Sequence, residues 1–236
     1  MTKVNPETGK PILERKFYGR RKGRPLSPKR QALVDNLLPE IQVQLPKDGG
    51  KLNPNTLFAD NKAQIWFEIG FGQGEHMAAL ARKHPEIGFV GCEPFMNGLS
   101  SLLIDIDEHD LKNIRLWPND ARDLMDGMAD DCLDRCFLIH PDPWHKTRHH
   151  KRRFIQPETV ATLARLLKSR AELQVATDDQ PLCDHMLATI TASDDFEWLA
   201  ESAEDWRKMP SDWPVLTKYG QKKLAGIPAY MRFKRM

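Results

Sequence analysis

Three glycines at alternate positions, Gly70, Gly72 and Gly74, follow the short apolar run Ile65-Trp66-Phe67-Glu68-Ile69, and an acid stands at the end of each later run: Glu93, Asp120, Asp142 and Asp178. Such glycines permit a sharp turn and let a ligand approach the backbone closely. A carboxylate about 20 residues on, ending the second run, can accept hydrogen bonds from both hydroxyls of a ribose. The pair specifies a nucleoside rather than a phosphate. Glu68 would sit badly beside a pyrophosphate, and the spacing is not the G-x-G-x-x-G of a dinucleotide turn. A cationic cofactor fits better, and S-adenosylmethionine meets the demand: its sulfonium is positive, its amino group needs acceptors near the glycine turn, and its adenine amine can donate to Asp120. Taken singly, Glu93 and Asp120 read as well as helix caps or solvated loop acids. A nicotinamide-dependent dehydrogenase would share the sheet and the second acid. The glycine spacing and the want of a hydride-transfer partner weigh against it.

The fourth run, Cys136-Phe137-Leu138-Ile139, stops at His140-Pro141-Asp142-Pro143-Trp144, where the prolines forbid continuation of a central strand. Amino methyltransferases place an acid or amide before two prolines and an aromatic, whereas Asp142 is followed by one. Trp144 could stack on a base or close the core. Two basic blocks flank these sites, Arg15 to Arg24 and His145 to Arg153, while acids concentrate in 105–110, 120–134 and 194–205. A basic face of that kind attracts polyanions, and two such runs beside a nucleoside site point to RNA. His145, His149 and His150 lack metal-ligand spacing, so no metal is expected.

The elements that must position these groups follow from periodicity. From Gln64 onward, apolar runs alternate with helix-period segments, which predicts βαβ units and an α/β fold with a mostly parallel sheet and helices on both faces. Strands are expected at 65–69, 88–92, 114–117, 136–139, 172–177, 196–199 and 229–233, with helices after Gly74, from Met96, from Pro157 and from Pro181. Residues 1–55 read as a mobile basic N-terminal arm followed by a helix or turn at 31–45 against the main domain, which spans 56–236.

The 236 residues carry a net charge of +2, with 40% apolar and 29% charged residues, which excludes a mainly disordered chain, a collagen and a coiled coil. No apolar run reaches the roughly 18 residues of a membrane span, and no signal core follows Met1, so a cytoplasmic protein is expected. Cys92, Cys132, Cys136 and Cys183 form no C-x-x-C pair and suggest reduced thiols.

Phe17 to Arg24, Glu68 to Gly74, Pro141 to Lys146 with its basic extension, Thr177-Asp178 and Thr217-Lys218-Tyr219 together resemble the bacterial tRNA (guanine-N7-)-methyltransferase family, in order, over nearly the whole chain. The resemblance implies a class I S-adenosylmethionine-dependent, Rossmann-like methyltransferase. It implies methyl transfer to N7 of a tRNA guanine, the variable-loop guanine at tRNA position 46. Carried over by position, Glu68, Gly70, Gly72, Gly74, Glu93, Asp120 and Asp142 bind cofactor, with Asp142 also catalytic. Lys146, Asp178, Thr217, Lys218, Tyr219 and Gly220 bind substrate, and Arg148, His149, His150, Lys151, Arg152 and Arg153 contact RNA. Gly220 replaces the family's glutamate and His140 its phenylalanine. Methylation of another RNA base, or an RNA-binding module with an inactive pocket, are the competing readings.

Overall fold

A computed structural model describes residues 16–213 and 226–236. Thr217, Lys218, Tyr219 and Gly220 lie outside the described residues. The strands are β1 (Gln64–Ile69), β2 (Ile87–Cys92), β3 (Ile114–Trp117), β4 (Leu133–Ile139), β5 (Leu167–Thr177), β6 (Phe196–Trp198) and β7 (Ala229–Arg235). They form one sheet in the order β3-β2-β1-β4-β5-β7-β6. The first five run parallel, and β7 lies antiparallel between β5 and β6.

Helices α1 (Pro28–Ile41), α2 (Glu75–Lys83) and α3 (Met96–His109) cover one face, where Leu38, Leu80 and Leu103 share a core. The opposite face carries α4 (Ala121–Gly127), α5 (Pro157–Leu166) and α6 (Gln180–Thr191) over Leu124, Leu163 and Leu182. A short α7 (Glu204–Arg207) precedes β7. The pleat feeds both cores: Ile65 and Phe67 of β1 pack on the second, and Trp66 between them on the first. Strand order reverses between β1 and β4, and a crevice opens beyond the carboxyl ends at such a reversal.

The first helix begins at Pro28 and ends at Ile41, so the expected span of 31–45 is shifted. Proline suits the first helical turn, and past the helix Val43 N–H donates to Leu116 O at 2.8 Å, drawing the chain alongside β3. The basic segment is docked from Lys16 onward. Met96 N–H donates to Arg21 O at 3.0 Å, Gly23 N–H to Asn97 Oδ1 at 2.8 Å, and Asn97 Nδ2 to Arg24 O at 2.7 Å. These bonds lay it across the start of α3. The four cysteines are buried and unbridged, and burial pushes the Cys132 thiol up to about 12. No helix among the described residues is long and apolar enough to cross a membrane.

Candidate active site

Beyond the carboxyl ends of β1, β2 and β4 lies a cavity of about 860 Å³, lined by Glu68, Gly70, Gly72, Glu93, Asp120 and Asp142 among others. Its volume falls within the roughly 300–1,000 Å³ of small-molecule sites. The turn that forms its floor runs through Gly70, Gly72 and Gly74 with φ of 68°, 60° and 83°. Only glycine takes these left-handed angles freely. Gly74 does not line the cavity. It opens α2, and a Cβ there would stand 2.6 Å from Leu102 Cβ, so its part is to shape the turn against α3. At Gly98 a Cβ would fall 2.3 Å from Gly72 O, which makes this glycine, unremarked in the sequence, a second condition for the turn.

Glu93, 8% exposed, holds the turn from the end of β2: Oε2 accepts from Gly72 N–H and Oε1 from Phe95 N–H, both at 2.8 Å. Burial raises its pKa from the usual 4.5; the two backbone donors oppose the rise, and the Asp142 and Glu68 carboxylates reinforce it. Those influences are the electrostatic trace of acids gathered from separate strand ends. Asp120, 6% exposed, caps α4 through Arg122 N–H at 3.0 Å and is clasped by the Arg122 guanidinium, Nη2 to Oδ2 at 2.5 Å. The helix-cap alternative for Asp120 is thus realised, and the residue still faces the cavity.

Asp142 stands exposed at the rim in the Pro-Asp-Pro-Trp loop. Trp144 is half-buried, neither in the core nor free. Its ring meets Tyr18 edge-on at 6.3 Å, and the Arg152 guanidinium lies 4.3 Å from the Tyr18 ring centre and 5.0 Å from that of Trp144. The docked arm thereby becomes a wall of the site, since Phe17, Tyr18, Gly19 and Arg20 line it as well.

The basic loop is not uniform. Arg148 and Lys151 are exposed, His149, His150 and Arg152 are half-buried, and Lys146 is exposed outside the cavity lining. Partial dehydration and then the neighbouring cations hold His149 below its usual 6.5. Arg153 departs from the expected phosphate-facing position: it is 4% exposed, and its guanidinium donates to Pro143 O at 2.9 Å and Pro181 O at 3.4 Å. The short 3-10 turn over 147–152 rotates it inward, where it braces the Asp142 loop against α6. Asp178 is not in the cavity lining, but its Oδ1 lies 3.5 Å from Nδ1 of His140, which is. No group of residues suited to a metal ion occurs among the described residues.

The residues fit S-adenosylmethionine. A Cβ built at Gly70 or Gly72 meets nothing within 4 Å, so the turn leaves an open cradle where a ligand can approach backbone. The acids around it suit a cationic group and ribose hydroxyls.

A family model described as "Putative methyltransferase" matches residues 62–227. Proteins named tRNA (guanine-N(7)-)-methyltransferase are similar along most of their length. That of Rhodospirillum rubrum is 46% identical, covering 96% of this chain and 90% of its own; that of Caulobacter vibrioides is 46% identical, covering 92% and 94%. That of Zymomonas mobilis is 42% identical, covering 90% of each. Among solved structures, an rRNA methylase from Streptococcus thermophilus aligns with a TM-score of 0.51 at 12% identity, covering 75% of this chain and 89% of its own. That likeness is one of fold.

Proposed function

The chain belongs to the tRNA (guanine-N(7)-)-methyltransferase family, an S-adenosylmethionine-dependent one, and from that premise we propose that it methylates N7 of guanine 46 in the tRNA variable loop, in the cavity beyond β1, β2 and β4. The observation that carries the siting is the convergence of Glu68, Glu93, Asp120 and Asp142 from different strand ends on one glycine-floored cleft. The bound cofactor supplies an electrophilic methyl on a sulfonium. Glu68 would take its amino group, Glu93 its ribose hydroxyls and Asp120 its adenine amine.

Guanine N7 presents a free lone pair in the major-groove edge, so transfer is an in-line displacement and no proton need be removed. The chain's work is therefore alignment and charge. Positive charge passes to the guanine ring during transfer, and Asp142 at the rim would stabilise that state more than the neutral base. Asp178 would accept from guanine N1 and N2, with Thr217 to Gly220 and Lys146 as further substrate contacts. Arg148, Lys151 and the half-buried His149, His150 and Arg152 would meet phosphates.

Transfer of a labelled methyl to a transcribed tRNA, followed by nucleotide mapping, tests this reading. Label on N7 of guanine 46 is expected, and label on another base or atom would overturn it.

A further inference from the structure

The first turn of α2 carries His76, a histidine 1% exposed with no part in the proposed methyl transfer. Its Nδ1 lies 2.9 Å from Oε2 of Glu68, itself 4% exposed. When the Glu68 carboxylate is the acceptor, Nδ1 is the donor of this bond. The ring centre is 4.9 Å from that of Phe137 and 5.0 Å from that of Trp213, and Nε2 has no hydrogen-bond partner among the described residues. For packing alone, an apolar side chain would suit this aromatic slot better, because a buried polar atom without a partner is unfavourable. What the imidazole adds is a single donor aimed at Glu68.

We propose that His76 is a positioning residue for the cofactor: its Nδ1–H pins one oxygen of Glu68 so that the other is presented to the cofactor's amino group. The inference rests on the reading of Glu68 as a cofactor ligand. Glu68 lines the cavity, and among the described residues nothing but His76 bonds to its carboxylate. A glutamate free to rotate would lose side-chain freedom each time the cofactor binds; one already held loses less. Trp213 completes the clamp. It is 6% exposed and fixed by its indole N–H to Gln174 Oε1 at 2.5 Å, and with Phe137 it confines the imidazole to the orientation that meets Glu68.

Calorimetric titration of the full chain with S-adenosylmethionine, beside steady-state methylation, decides the matter in Glu68→Gln, His76→Leu, His76→Asn and His76→Gln. Both Glu68→Gln and His76→Leu should raise Kd about tenfold, equivalent to roughly 1.4 kcal/mol. For His76→Leu the rise should appear in the cofactor KM, with kcat at saturation reduced less than about threefold. His76→Asn, whose amide nitrogen occupies the Nδ1 position, should recover most of the affinity. His76→Gln, nearer histidine in volume but with its nitrogen placed beyond Nδ1, should not. Should His76→Leu fail to fold, the Asn and Gln variants still decide, because a packing role reverses their order. Weak binding by Glu68→Gln with near-normal binding by His76→Leu would overturn the positioning role alone. Normal binding by Glu68→Gln would overturn the cofactor reading of Glu68 itself.

Discussion

The Glu93 carboxylate accepts the backbone N–H of Gly72 at 2.8 Å, so the end of β2 holds the turn that follows β1. The same acid is the one proposed to receive the cofactor's ribose. Glu93→Gln must turn an amide NH₂ toward one of two backbone donors, and the expected loss is about 2 kcal/mol, or roughly 30-fold in cofactor affinity by calorimetry. The pH dependence follows from burial, which raises the Glu93 pKa above 4.5. Cofactor affinity should therefore decline on acidification before an ordinary glutamate would protonate. Its effect on folding has the opposite sign, favouring the fold most below pH 4.5 and fading as pH climbs through the raised value.

Tyr18, from the arm, and Trp144, from the Asp142 loop, share the Arg152 guanidinium. Tyr18→Ala removes the arm's half of that contact, worth about 1 kcal/mol, and should raise the cofactor KM roughly fivefold. Limited proteolysis between residues 16 and 24 should accelerate in the same variant.

His140 is a test of charge. Burial lowers its pKa below 6.5, with Asp178 opposing the shift, so it folds neutral and must charge in acid. A depressed folded value means stability present above about pH 6.5 and lost as pH falls through the folded value. In urea titrations at pH 7.5 and pH 5, the His140→Phe variant should lose less stability on acidification than the parent. Equal losses would refute the assignment.

The parallel sheet and the strand-end acids were legible because short apolar runs ending in Glu93, Asp120 and Asp142 carry the period of buried strands. Where surface chemistry masks an element, its sequence carries no recognisable period. Helix α4 escaped notice because Asp120, Asp123 and Asp126 look like a solvated acidic stretch, and only Ala121, Leu124 and Met125 anchor it. Strand β5 starts at Leu167 rather than Glu172, its first residues hidden by the exposed Lys168, Ser169 and Arg170. His76 lay among the apolar residues of α2, and a stripe of helical spacing gives no sign that a polar ring within it meets a glutamate across the core. The charge run from Arg148 to Arg153 could not disclose that its last arginine turns inward.

That difference within one run makes the arginines separable. Arg153→Met removes the bonds to Pro143 O in the loop and Pro181 O at the start of α6 and should destabilise the fold by about 2 kcal/mol in denaturant titration. The salt slope of tRNA binding should stay unchanged. The exposed Arg148 should behave inversely: Arg148→Ala ought to leave folding intact and reduce the slope by about 0.7 to 0.9.

Single-turnover methylation by Asp142→Asn, with cofactor and tRNA both saturating, is the most direct trial of the whole arrangement. The amide keeps the shape of the rim but removes the charge, so a rate lowered about 100-fold or more, with the fold and cofactor binding largely retained, is the expected result. A rate equal to the parent's would mean that the carboxylates gathered at the cleft do not assist the transfer.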